Sequence, residues 1–524
     1  MKAINALILF ACSMQLQAQQ FDLVIQNGKI VDGTGNSWYY GSVAVKDGKI
    51  VAVGNSEHWT AARTIDANNL IVAPGFIDVH THIEGEDLTV PTAGNFILDG
   101  VTSVVTGNCG GSNVNVGRYF RQLDSVKTSI NIATLIGHNS VRAEVMGSGQ
   151  RDPSAEEQQK MEELVSKAMQ DGAVGLSTGL IYVPGTYSKT PEVVGLAIAT
   201  SRYHGVYASH IRNEGDFVTE AIDEAIDIGR QARIPVEISH FKVTYKPNWG
   251  RSVGTVAQVQ KARMEGIDVT MDQYPYIASS TTLNTQIPNW ALSGGRDSLK
   301  RRLSVPVIRS KIKKEMLESL KMKKLKNFSF AVVAYYEADT LFNGKSISEI
   351  NLLKKRKPKA SDEAETILEM VENGSAGMIF FSMHEDDLKR IMQYPFNMFA
   401  SDAGIAKYGS GMPHPRAYGT NARVLGYYVR QLKVISLEEA VRRMTSLPAL
   451  KFQLRDRGLV REGMAADLVI FDEINVSDRA TFVKPHAYSA GIKYVIVNGR
   501  LVAENGKHNG VRSGQVLRGP GWNK

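Results

Sequence analysis

The sequence predicts an α/β protein: a (β/α)8 barrel, a small β domain built from both chain ends, and an insertion between barrel strands seven and eight. Three observations carry that expectation. The middle of the 524-residue chain alternates short apolar runs with helical patterns about eight times, the pattern of parallel strands joined by helices. The two ends instead carry short strands separated by Asn-Gly and Asp-Gly turns, and they resemble each other in composition. Histidine, cysteine and aspartate recur at the C-terminal ends of the middle strands, where such barrels build their sites.

The elements follow in order. Residues 1–18 begin with Met1-Lys2, continue through a short apolar run and end in small residues. They read as a secretory signal peptide cut after Ala18, which places the mature chain in the periplasm. The apolar run is too short for a stable membrane span, and no other stretch looks transmembrane. Leu9-Phe10-Ala11-Cys12 is a poorer match to a lipoprotein signal, because Phe10 is bulky for such a site. Residues 19–72 hold hairpins around Asn27-Gly28 and Asp47-Gly48. Residues 455–524 repeat the theme, with strands at 466–471 and 492–497 and a turn at Asn498-Gly499. Both ends are expected to pair into one domain beside a barrel of residues 73–454.

The barrel strands are read at 76–79, 101–106, 131–136, 173–178, 206–209, 235–239, 267–272 and 397–401. Ser154 and Glu157 form a capping box that starts a helix with Met161, Leu164, Val165 and Ala168 on one face. The insertion, 288–377, is rich in lysine and arginine, so the net charge of +8 is local rather than spread over the chain. A solvated helical face accounts for such runs. The functional alternatives are a lid, or a patch attracting acidic substrates or anionic surfaces. There is no nucleic-acid motif and little aromatic interleaving, which argues against nucleic-acid binding.

His80 and His82 end the first strand. Alternate strand residues face the same way, so the pair suits one divalent metal. Cys109 follows the second strand, His210 the fifth, His240 the sixth and Asp402 the eighth. With the leader removed, Cys109 is the single cysteine and has no disulfide partner within the chain. Imidazole, thiolate and carboxylate together suit zinc. Zinc lowers the pKa of bound water from roughly 15.7 to about 7, and Asp402 is placed to take the proton. His138 ends the third strand and is a candidate donor to the reacting carbonyl or a ligand, with a structural role equally open. Arg212 and Glu214 are expected to pair and fix the loop after His210.

The motifs PGFIDVHTH, GNCG, GHNSVR, ASHIRNE, ISHFK, DQYPY, FASDAG and HPRAYGT occur in this order. With them the chain resembles the N-acyl-D-amino-acid deacylase (D-aminoacylase) family of the amidohydrolase superfamily, from about Phe21 to the C-terminus. The resemblance implies a metal-dependent barrel, a small β-sandwich domain built from both chain ends, and one zinc held tightly by Cys109, His210 and His240. It implies a second, weaker site at His80 and His82, and Asp402 as the catalytic aspartate. Lys242, Tyr276 and Arg416 match positions that bind the substrate carboxylate, a role that bidentate arginine and point-charge lysine suit. The chain departs from the pattern at Ile83-Glu84, where many relatives carry an aspartate, and at Phe241.

The function so implied is zinc-dependent hydrolysis of the amide of a small N-acyl-D-amino acid, giving a carboxylate and a D-amino acid. The D preference rests on resemblance alone. A cyclic-amide hydrolase of the dihydroorotase or hydantoinase kind, or a dipeptidase, is the alternative on the same fold. Cyclic-amide enzymes of that kind use a modified lysine at the end of the fourth strand, and Gly175–Leu180 contains none. A non-catalytic binding or assembly relative would have lost metal ligands, whereas all six candidates are present.

Overall fold

Eight short apolar segments give the parallel strands β1 (Phe76–Asp78), β2 (Val101–Thr106), β3 (Asn131–Thr134, continued at Ile136–Gly137) and β4 (Gly175–Gly179). They continue with β5 (Val206–His210), β6 (Val236–Ile238), β7 (Val269–Gln273) and β8 (Asn397–Phe399). The structure is a computed structural model and describes residues 20–522. The signal-peptide reading of residues 1–18 therefore lies outside the described residues.

Spatial order follows chain order. One hydrogen-bonded arc runs from β1 to β3 and another from the second half of β3 to β8. The seam between β8 and β1 is closed just beyond the strand ends. Asp402 N donates to the His80 carbonyl at 2.9 Å, and His82 N to the Ala403 carbonyl at 3.0 Å. Barrel closure thus fixes the register of three of the residues on which the chemistry depends. Ile77, Val79, Val105, Ala133, Val174, Val206, Ala208 and Met398 fill the lower barrel, plugged beneath by Phe452, Leu454 and Leu517.

Helices follow the strands and bury one face each. The expected capping box is present at Ser154 and Glu157, opening the helix Ala155–Gln170 with Met161, Val165 and Ala168 buried. Val218–Ala232 buries Val218, Ala221, Ile222, Ala225 and Ile226 in the same way.

The insertion begins earlier than its helical pattern suggests. Strands Ser279–Thr282 and Gly377–Phe380 pair antiparallel, with Ala331–Tyr335 on the far side of the latter. Helices Gly295–Leu303, Pro306–Met322, Ile347–Leu353 and Ala360–Asn373 complete it. They enclose a separate apolar core that includes Leu283, Ile312, Phe328, Ile367 and Met378. The polar run Ser279–Thr282 hides the first strand, because half-exposed edge residues carry no apolar alternation.

Both chain ends contribute to a single nine-stranded mixed sheet. Leu468–Phe471, from the C-terminal end, pairs antiparallel with Ile71–Pro74, just ahead of β1. Asn131 ties this domain to the barrel. Its amide donates to Asp467 Oδ2 at 2.9 Å and accepts from Asn498 at 2.7 Å.

Lys451 is buried at the edge of this floor, its Nζ donating to the Asp268 carbonyl at 2.9 Å. Burial lowers its pKa to about 8, against the opposing pull of Asp268. A base depressed in the folded state binds fewer protons there than in the unfolded chain. Its contribution therefore makes stability rise as pH increases from about 8 towards the unfolded value. Lys451→Met is expected to flatten that rise, giving a gain of the order of 1 kcal/mol near neutral pH that shrinks by pH 10. Urea midpoints of both proteins across this range check it, and parallel curves would refute it.

Candidate metal centre

Cys109, His210 and His240 reach one point from β2, β5 and β6. Cys109 Sγ lies 3.5 Å from His210 Nδ1, 3.5 Å from His240 Nε2 and 3.3 Å from His80 Nε2. A tetrahedral zinc with bonds of about 2.3 Å to sulfur and 2.0–2.1 Å to nitrogen separates S and N by roughly 3.5 Å. The thiolate–imidazole spacings therefore fit such an ion. His210 Nδ1 and His240 Nε2 are closer, at 2.7 Å. Beside this group, Asp402 Oδ1 lies 3.1 Å from His82 Nε2 and 3.6 Å from His80 Nε2. His80, His82 and Asp402 form a second set of donors within reach of one ion.

The crowding of these groups shifts their protonation. Burial pushes the Cys109 thiol up, but the neighbouring His80 and His210, with hydrogen bonds from His210 and His240, bring it well below its ordinary value. Burial likewise opposes ionisation of Asp402, yet the Arg416 guanidinium and His80 hold it well below the usual carboxylate range. Arg416 Nη1 is 2.8 Å from Asp402 Oδ2.

Backbone geometry also marks the site. Cys109, His240 and Asp402 have φ of 52°, 40° and 51°, the left-handed region that non-glycine residues seldom adopt. Such strain costs of the order of 1–3 kcal/mol per residue and clusters at functional sites. Gly179, at the end of β4, serves the same loop. A Cβ there would lie 2.1 Å from the Cys109 carbonyl oxygen. The end of β4 is thus closed by the backbone that presents Cys109.

A second layer orients the ligands. Asp272 Oδ2 is 3.2 Å from His80 Nδ1, which leaves Nε2 facing the cluster, and Asp272 Oδ1 accepts from His240 N at 2.9 Å. Asp78 accepts from His80 N and Ser401 N, both at 3.1 Å, tying β1 to β8. Glu214 Oε1 is 3.0 Å from His240 Nδ1 and 2.5 Å from Lys242 Nζ. Asp78 and Asp272 are not among the residues expected from sequence. Their place at strand ends, within PGFIDVHTH and DQYPY, is the signal that could have found them.

The other expected residues divide. Lys242 and Arg416 are buried beside the cluster, and both cations flank the ring of Tyr274, at 5.6 and 4.5 Å from its centroid. Tyr276, expected on the substrate carboxylate, packs instead against His414 and Phe482, with Arg423 over its ring at 4.8 Å. β7 ends at Gln273, and the chain bends through Pro275 before it reaches Tyr276. His138, a candidate donor to a ligand, opens the helix His138–Met146 and contacts Glu192 at 2.8 Å. Arg142 shares that carboxylate at 2.9 Å. This buried triad ties the helix His138–Met146 to Glu192, while His138 Nδ1 is left without a hydrogen-bond partner among the described residues. Arg212 pairs with Glu224 rather than Glu214, at 2.9 Å, because Glu214 is already committed to Lys242 and His240.

Comparison with known proteins agrees with this geometry. The model of the Amidohydrolase family matches residues 63–252 and 373–503, passing over most of the insertion. An N-acyl-D-glutamate deacylase of Alcaligenes xylosoxydans xylosoxydans is 34% identical over 522 residues, 95% of this chain and 97% of the relative. The crystal structure of an N-acyl-D-glutamate deacylase from Bordetella bronchiseptica, complexed with zinc and a phosphonate mimic of the tetrahedral intermediate, is 34% identical. It superposes with a TM-score of 0.81, covering 95% of this chain and 100% of that one. A D-aminoacylase structure, 33% identical with a TM-score of 0.81 over the same shares, is described as having a binuclear metal centre with one-metal activation and second-metal attenuation.

Proposed function

The chain belongs to the amidohydrolase family, and we propose that it hydrolyses the amide bond of N-acyl-D-amino acids, releasing a carboxylate and a D-amino acid. The observation that carries this reading is the convergence of Cys109, His210 and His240 beside a carboxylate, Asp402, that is itself paired with Arg416. Whole-length similarity to N-acyl-D-glutamate deacylase and D-aminoacylase supports the substrate class.

Zinc is the ion this donor set suits, held by Cys109, His210 and His240, with His80, His82 and Asp402 as a weaker second site. When bound there, it would supply a water that ionises near neutral pH and a Lewis acid for the acyl oxygen. The chain's own residues do the rest. Asp402 accepts the proton of the attacking water and returns it to the departing nitrogen, so that the amine leaves neutral. Arg416 and Lys242, spaced by the Tyr274 ring, present two cations to the α-carboxylate of the substrate. Glu214 holds Lys242 in place and orients His240. Asp272 and Asp78 keep His80 turned towards the cluster. The absence of a lysine from β4 disfavours the cyclic-amide alternative.

Paired hydrolysis of N-acetyl-D- and N-acetyl-L-amino acids by the purified zinc-loaded protein tests the reading. D-selective turnover is the expected result. Turnover of neither series, or preference for the L series, would overturn it. Arg416→Lys is expected to raise KM about 10- to 100-fold, since lysine loses the bidentate geometry. A larger effect on kcat than on KM would show that Arg416 serves Asp402 more than the substrate.

A further inference from the structure

The basic insertion carries a surface that hydrolysis does not use. Within residues 288–377, lysine and arginine outnumber aspartate and glutamate by 18 to 11, whereas the rest of the chain is nearly balanced, at 43 to 42. The excess is displayed most densely in Leu352-Leu353-Lys354-Lys355-Arg356-Lys357-Pro358-Lys359, a stretch without an acidic residue in which every side chain except Arg356 is exposed. Leu352 and Leu353 are 53% and 57% exposed. Leu341, 77% exposed, precedes Phe342, whose ring lies under Lys354 at 5.9 Å.

This display is built rather than loose. Buried Asn351 donates to the Lys357 carbonyl at 2.8 Å, and its own backbone carbonyl accepts from Arg356 N at 3.1 Å. Lys355 turns the chain with φ of 56°. One carboxylate, Glu369, takes both Lys354 and Arg356. Among the described residues, Lys355, Lys357 and Lys359 have no ion pair. Water solvates lysines readily but gains nothing from three leucines held among them. An anionic bilayer satisfies both, with headgroups for the cations and the acyl boundary for the apolar tips.

We propose that the Leu341 and Leu352–Lys359 face docks this protein on an anionic lipid bilayer. The inference is independent of the substrate assignment. Co-sedimentation of the full protein with vesicles of phosphatidylcholine alone, and of phosphatidylcholine mixed with phosphatidylglycerol, tests it. Binding to the anionic vesicles is expected to exceed binding to the neutral ones by about tenfold or more and to fall with added salt. Two triple variants, Lys355→Glu/Lys357→Glu/Lys359→Glu and Leu341→Ser/Leu352→Ser/Leu353→Ser, should each lose most of that binding. Both should keep wild-type zinc content and turnover of a soluble substrate, which shows that they fold. Equal binding by wild type and the lysine variant would overturn the proposal. So would loss in the lysine variant alone with full binding by the leucine variant, which would reduce the contact to surface electrostatics with no apolar insertion.

Discussion

Asp402→Asn is expected to lower kcat about 10³- to 10⁴-fold while leaving zinc at Cys109, His210 and His240 close to its wild-type level. Asparagine keeps the shape and can still accept from Arg416, but it cannot take a proton. The change therefore isolates proton transfer from packing. Steady-state kinetics with metal analysis on the same preparation separates the possibilities. A fall in kcat with zinc retained assigns the proton to Asp402. Residual activity near wild type would sink that assignment and leave the carboxylate as a ligand only.

Cys109→Ala is expected to cut metal retention at least ~100-fold and turnover with it, since the thiolate is the ligand common to the short contacts with His80, His210 and His240. Removing it also leaves those imidazoles without the charge that holds them together. Dialysis followed by metal analysis gives the first readout, and competition with a chelating dye gives the second. Retention of one equivalent of zinc by the variant would mean that His80, His82 and Asp402 form the tight site. Circular dichroism should change little, because Cys109 lies on a loop and its neighbour Gly179, not its own side chain, sets the backbone path.

The strands at 101–106 and 206–209 are legible in the amino-acid sequence because they are short, apolar and bounded by turn chemistry. The site histidines are legible for a related reason. A residue that ends a barrel strand, as His210 does, has its direction fixed by the strand; His80 and His240 stand two residues beyond theirs, near enough for position to mark them but not to orient them. Legibility ends where the chain leaves regular structure. Tyr274 and Tyr276 are two residues apart in one motif and both pack on His414, yet beyond the end of β7 they take different cations, Arg416 over Tyr274 and Arg423 over Tyr276. Sequence proximity pairs Glu214 with Arg212, but Lys242, from the next strand end, takes that carboxylate in space. His138 ends a strand as the ligands do, but the helix that starts on it carries its ring to Glu192.

The order of strands and helices, the inserted unit and the chemical types of the donor set depend on local periodicity and residue chemistry, so the chain specifies them segment by segment. How the donors meet is a property of the folded whole. Closing the barrel brings β8 beside β1 and so sets Asp402 against His80 and His82, residues more than three hundred positions away in the chain. The left-handed turns at Cys109, His240 and Asp402 persist because this closure, and the contact of Gly179 with the Cys109 carbonyl, constrain them from outside their own segments. No local preference selects those turns, so the centre takes shape only when the whole barrel does.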